Sequence, residues 1–477
     1  MQYSVFPDLV LRIIFDYLGW VELKAASLVC RQWQNLVFRG RRMNEVVFIH
    51  TRMDSLADRL LWVNSKRFYR HLELELGNSY GPTFDEVLQK LDKFGSHIVT
   101  LKLWSQDNVT TGQLLRLLAE VSNVEELAIS CLAIATKATD RYRVTVASPT
   151  LPNLKNLQLS VVTSDLLAIR DALQLPSNAP RLESLALCND AGGFTDVLRH
   201  FSGQLKRLEM NSATERLFRL HFPRLQELSL RPENRTEQLR WSCFEFFQMH
   251  RTIEELAIFC AIPRDLVLTI SRHCRRLTCL GINVASFEVG ELACLAQLTK
   301  LRRLVLFNKV QSHVFIGCPP IATLDEVCLT ASTPQLGVFL GLHQLAPQLT
   351  CLELIGARLG VSEVHFICDH FSKIDCLILD DCEMKWEALE RINRLPRLQD
   401  LRLIGSSLRY YSKLPTNKVR FLTISQWSKF TERELFTIPE CFPMLKMFIS
   451  IGCSINDRGE ALLRETLPTC SINITRR

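Results

Sequence analysis

One spacing constrains this chain more than anything else in it. A pattern Leu-x-x-Leu-x-Leu, with conservative swaps, recurs from about residue 43 to about residue 474. It is clear at Leu154/Leu157/Leu159, Leu182/Leu185/Leu187, Leu301/Leu304/Leu306, Leu349/Leu352/Leu354 and Leu398/Leu401/Leu403. It is weaker at the two ends, Met43/Val46/Phe48 and Leu467/Cys470/Ile472. The central positions, from Val46 to Cys470, mark about 18 units with steps of 20 to 30 residues. A self-similar period of that length is the mark of a stacked, quasi-one-dimensional body.

The spacing dictates the form of each unit. A Leu-x-Leu pair is a short strand with alternate side chains inward. The intervening residues carry helical patterning, as in Val109 to Ala119. One unit orders about 25 residues at roughly 1–2 kcal/mol each, and its six or so apolar side chains return only about 1.5–3 kcal/mol each. A single unit therefore cannot stay folded, and neighbours must bury its faces and pair its strand. The pattern resembles the leucine-rich repeat, and Leu377-x-Leu379-x-x-Cys382 resembles its cysteine-containing form, although other units lack that Cys. The expected fold is α/β: a curved solenoid over 43–477, with parallel strands on the concave face and helices on the convex face. Extra residues around 78–85 and 133–152, and the charged stretch 231–237, are expected loops. Residues 52–70 are expected to form the first convex helix.

The first 42 residues follow a different rule. From Asp8 to Leu18, eight of eleven residues are apolar, too many for one buried stripe, so such a helix must be covered on more than one side. Asp8 after Pro7 is read as its N-cap, and Gly19 ends it. Second and third helices are expected over about 20–29 and 31–38. Three short helices cannot hide this much apolar surface alone. The residues Pro7-Asp8, Leu11, Ile14-Phe15, Leu18, Leu23, Ala26, Leu28-Val29-Cys30-Arg31 and Trp33 resemble an F-box. Phe6 and Trp20-Val21 are mild departures from that family's pattern. The resemblance implies binding of the Skp adaptor, and through it a cullin scaffold, by Pro7, Leu11, Ile14, Phe15, Leu18, Leu23, Val29 and Trp33. No long linker follows, so the helices are expected to join the solenoid rigidly.

Composition narrows the function. A net charge of +7 over 477 residues, with scattered basic groups, leaves no electrostatic footprint for nucleic acid. No apolar run reaches the roughly 18 residues a membrane span needs, and no signal peptide or lipidation motif is read. The expected location is cytoplasmic, nuclear or both. The 17 cysteines are expected to be reduced and show no Cys-x-x-Cys or zinc-type spacing. The groupings His273/Cys274/Cys279 and His365/Cys368/His370 read as core thiols and surface histidines. No catalytic constellation, cofactor motif or metal set is found.

Binding residues are expected between and just after the strand leucines, where side chains point to the concave face. Small polar residues dominate the first half there, apart from Trp104. In the second half Phe259, Val305, Phe307, Ile355, Ile378 and Ile404 form an apolar set, edged by Arg231, Glu353, Asp380 and Arg402. An apolar cluster with charged edges suits a protein-binding hot spot. The leading expectation is thus a non-enzymatic substrate receptor of a Skp–cullin–F-box ubiquitin ligase, holding a target protein on that face. The alternative is a ligase-independent binding scaffold. A small-molecule receptor would need a polar or basic pocket in the concave face, and these strands show no Lys/Arg cluster.

Overall fold

The computed structural model describes residues 7–39, 47–50, 69–76, 83–105, 109–131, 134–135, 149–161, 173–188, 194–211, 215–231, 237–284, 287–308, 310–330, 334–384, 391–392, 394–405, 418–425 and 432–475. The join between the first helices and the repeats, most of 52–70, and the bulk of the expected loops lie outside the described residues. The chain divides into two compact units, Met1–Leu225 and Gln226–Arg477.

The first unit opens with α1 (Asp8–Tyr17), α2 (Trp20–Ser27) and α3 (Arg31–Arg39). It continues with strands β1 (Val47–His50), β2 (His71–Leu76), β3 (Thr100–Ser105), β4 (Glu126–Cys131), β5 (Asn156–Val161), β6 (Ser184–Cys188) and β7 (Arg207–Met210). The second unit carries β8 (Glu227–Leu230), β9 (Glu255–Ala261), β10 (Cys279–Asn283), β11 (Arg303–Phe307), β12 (Glu326–Thr330), β13 (Cys351–Ile355), β14 (Cys376–Asp380), β15 (Asp400–Ile404), β16 (Phe421–Ser425), β17 (Met447–Ile451) and β18 (Ser471–Thr475). Within each unit every strand pairs in parallel with the next. Leu72, Leu101, Leu127, Leu157, Leu185 and Leu208 therefore stand side by side in the first unit. Leu228, Leu256, Leu280, Leu304, Val327, Leu352, Leu377, Leu401, Leu422 and Phe448 do so in the second. These are the central positions of the sequence pattern.

The pattern misplaces only the two end units. Phe48, not Val46, stands opposite Leu72, and Ile472, not Cys470, stands opposite Phe448. Both errors are two residues long. A strand repeats every two residues, so a slip of two keeps the same side chains inward and the apolar pattern cannot detect it.

Between strands, helices turn a buried stripe inward. The helix Phe84–Phe94 starts at a capping box in which Thr83 and Glu86 exchange side-chain and backbone hydrogen bonds, and it buries Val87, Leu88, Leu91 and Phe94. Thr110 and Gln113 cap the helix Thr111–Glu120 in the same way. Two connections of the second unit, Glu291–Gln297 and Ser312–Phe315, are 3-10 helices instead.

The residue just after the strand adopts a left-handed conformation at Asn308, Gly356, Asp381, Gly405 and Gly452. This turns its N–H toward the following strand. Gly356 N donates to Asp380 O (2.8 Å), Asp381 N to Ile404 O (2.7 Å) and Gly405 N to Ser425 O (2.9 Å). Cys382 and Cys453, five residues beyond their central positions, add a second tie. Each thiol donates backward, Cys382 Sγ to Leu354 O (3.2 Å) and Cys453 Sγ to Ile424 O (3.6 Å). A small buried donor at this point satisfies a carbonyl of the preceding strand, which accounts for the cysteine-containing form of the repeat.

Candidate functional site: the N-terminal helices and the open sheet face

The three N-terminal helices close on a core of Leu11, Phe15, Leu23, Ala26, Leu36 and Val37, with Leu18 and Trp33 packed against it. Phe15 and Trp33 meet edge to face, centroids 5.2 Å apart, a favoured geometry of aromatic pairs. Pro7 takes the N-cap position of α1, so Asp8 is not the cap expected from the sequence. Asp8 is the first helical residue, and its Oδ1 accepts from Gln32 Nε2 (2.7 Å), joining α1 to α3. Cys30 caps α3 by accepting the Trp33 N–H on its sulfur (3.5 Å).

This core corrects the contact assignment. Leu11 (3 % exposed), Phe15 (4 %) and Leu23 face the helices' own interior and cannot offer their side chains to an adaptor; they position the surface instead. Leu18 and Trp33 are half-buried on that core, while Pro7, Ile14 and Val29 are exposed. The exposed set also contains Leu9, Val10, Ile13, Tyr17 (84 %) and Leu28 (79 %), which the sequence reading did not assign. A signal for them was present. Val10, Ile13, Ile14 and Tyr17 fall at i, i+3, i+4 and i+7, a second helical stripe beside Leu11 and Phe15.

On the second unit's sheet, inward leucines alternate with residues that form rows on the open face, most of them half-buried, with Cys328 buried and Arg402 exposed. Val305, Cys328, Glu353, Ile378 and Arg402 make one row. Thr330, Ile355, Asp380 and Ile404 make the next. All nine residues expected to bind a target lie on this face, but they do not form one patch. Phe259 and Phe307 stack on each other, centroids 4.4 Å apart, and the Arg231 guanidinium lies 4.2 Å over the Phe259 ring, within cation–π range. Of the others, Glu353, Ile378 and Arg402 line a cavity of about 320 Å³ together with Arg303, Glu326, Cys328, Cys351, Asp375 and Cys376, while Val305, Ile355, Asp380 and Ile404 lie outside its lining.

Charge in this region is largely paired. Arg303 bonds Glu353 (3.1 Å), two strands away, and lies 3.8 Å from Glu326. Arg402 bonds Asp400 (2.8 Å) on its own strand. Burial, and then the like charges of Asp381 and Glu353, push the Asp380 carboxyl above its usual range. Burial pushes the Cys328 thiol up to about 12. None of this resembles a catalytic group awaiting a substrate, and among the described residues no group of three or more His, Cys, Asp or Glu could hold a metal ion.

Comparison with known proteins adds one domain match. Residues 4–42 match the F-box domain. Curated protein sequences yield no match. Among solved structures, an internalin of Listeria monocytogenes is similar at TM-score 0.33 and 14% identity, covering 67% of this chain and 89% of its own. A leucine-rich-repeat protein of Leptospira interrogans is similar at TM-score 0.33 and 16% identity, covering 89% of this chain and 100% of its own. A chain of the Drosophila Toll–Spatzle complex is similar at TM-score 0.32 and 13% identity, covering 89% of this chain and 53% of its own. A segment that matches the F-box domain is thus followed by parallel strand repeats in register, a leucine-rich-repeat-like fold.

Proposed function

We propose that this chain is a substrate receptor of a Skp–cullin–F-box ubiquitin ligase. The supporting observation is the exposed apolar surface of Leu9, Val10, Ile13, Ile14, Tyr17, Leu28 and Val29, carried by residues that match the F-box. Seven large apolar side chains on α1 and just after α2 are the inverse of a solvated surface, and a partner protein would bury them at about 25 cal/mol per Å² of apolar area. In this reading the Skp adaptor covers that surface and a cullin joins through the adaptor. A target protein docks on the open sheet face around Phe259 and Phe307. The chain performs no covalent step; it holds target lysines near a charged conjugating enzyme, raising their effective concentration.

Co-purification with the Skp adaptor tests the first half. Wild type and a double variant, Ile13→Asp plus Tyr17→Asp, are compared for adaptor and cullin recovery. Adaptor bound equally by both would refute the surface; adaptor without cullin would leave the ligase-independent scaffold. Ubiquitin-remnant mass spectrometry on cells expressing the full chain identifies the target.

A further inference from the structure

Cys351 on β13 and Cys376 on β14 hold the same register position on neighbouring parallel strands. Neighbouring strands lie about 4.8 Å apart, inside the range of Cα separations, roughly 4.4–6.8 Å, that a disulfide spans. Along both strands they alternate with the buried Leu352 and Leu377, so the two side chains stand together on the open face. Both are half-buried and line the open cavity of about 320 Å³, so a small reagent reaches them.

We propose that Cys351 and Cys376 are an oxidisable dithiol site that hydrogen peroxide closes to a disulfide, stapling two consecutive repeats. Cys351 is the attacking sulfur. The neighbouring Cys376 thiol draws its pKa below the ordinary thiol value, with a smaller contribution from Arg303, against the opposing effects of burial, Glu326 and Glu353. The same pairing raises Cys376, as do burial and Asp400, while Arg402 offsets part of the rise. The Cys351 thiolate attacks one peroxide oxygen, the O–O bond breaks, and the departing hydroxide takes up a proton to leave as water. The resulting sulfenic acid is then attacked by the Cys376 sulfur. The S–O bond breaks, a second water leaves with the Cys376 proton, and the S–S bond forms. Two thiols and one peroxide thus give one disulfide and two waters. Cys328 lines the same cavity, but its register partner is Glu353 rather than a thiol, and burial holds its proton.

The site shares its cavity with Glu353, Ile378 and Arg402 of the expected target-binding set, and its test requires neither adaptor nor target. The test uses the reduced full chain, treated with a stoichiometric amount of hydrogen peroxide, alkylated, digested and sequenced by fragmentation. Fragmentation separates Cys351 from Cys328 and Cys376 from Cys382. The expected product is a Cys351–Cys376 crosslink, lighter by two hydrogens, formed before the exposed Cys30 is oxidised. In Cys376→Ser the expected product is a Cys351 sulfenic acid trapped by dimedone. A second measurement on the wild type needs no variant: phenylarsine oxide should bridge the same two peptides, one arsenic per chain. Free alkylation of both thiols after Cys30 has reacted, a Cys328–Cys351 crosslink, or no arsenic bridge would overturn the proposal.

Discussion

Phe259 and Phe307 stack with their ring planes 25° apart although a whole strand separates them. That strand, β10, carries Gly281, in register between Ala257 and Val305. A Cβ on Gly281 would lie 3.0 Å from the Phe307 ring. The missing side chain is therefore what lets the ring lie down toward Phe259, and Arg231 covers the far side of the pair. Asn283 fixes the strand end beneath it by donating to Phe259 O (2.9 Å).

Gly281→Val should lift Phe307 out of the stack. The overpacking cost is about 1–3 kcal/mol, read as a lower urea midpoint with an unchanged slope. Near-ultraviolet dichroism of the variant should lose intensity. A variant that keeps both its midpoint and its aromatic signal would show that Gly281 is not the floor of the pair.

The N-terminal helices separate structural from contact residues. Phe15→Ala removes a ring from the core and should cost about 3–5 kcal/mol, enough to unfold three short helices. Ile13→Asp and Tyr17→Asp change exposed positions and should alter stability by no more than about 0.5 kcal/mol. Under the proposed function they lower adaptor affinity at least about tenfold, near 1.4 kcal/mol. Thermal unfolding and calorimetric titration with the adaptor measure both quantities.

The left-handed position after the strand predicts a position-specific penalty. Gly356 has φ +64° with no atom near its missing Cβ, so only the backbone angle opposes a side chain there. Gly356→Ala should cost about 1–2 kcal/mol. Gly203 is as open and lacks the positive angle, so Gly203→Ala should be close to neutral. Chemical denaturation of the two variants side by side checks the difference.

Asp380 predicts a pH dependence of defined sign. Its carboxyl is raised above its ordinary value of 3.8 by burial and like charge, so the folded chain binds the proton more readily than the unfolded chain. Its contribution to stability therefore falls as pH rises through that window. Asp380→Asn should raise stability at neutral pH by about 0.5 kcal/mol or less, since solvent screens this half-buried group. The gain should vanish below pH 3.8. Melting temperatures of both proteins across that range provide the check, and a wild type that is the more stable at neutral pH would contradict it.

Much of this molecule is legible along the chain. The Leu-x-x-Leu-x-Leu spacing placed the inward positions of every strand from Leu72 to Phe448, because alternation along a strand is a local property of consecutive residues. The Val29-Cys30-Arg31-x-Trp33 stretch marked the N-terminal helices for the same reason. Contacts between side chains were less accessible. Leu11 and Ile13 are equally apolar in sequence, and only packing against α2 and α3 decides that the first is core and the second is surface. Phe259 and Phe307 are 48 positions apart in sequence and Cys351 and Cys376 are 25. Their meeting depends on strand register and on an absent Cβ between two rings. Hydrophobic periodicity is written in neighbouring residues and survives in one dimension. Which of two apolar faces turns inward, and which side chains from different repeats touch, is set by partners distant in sequence, so folding alone resolves it.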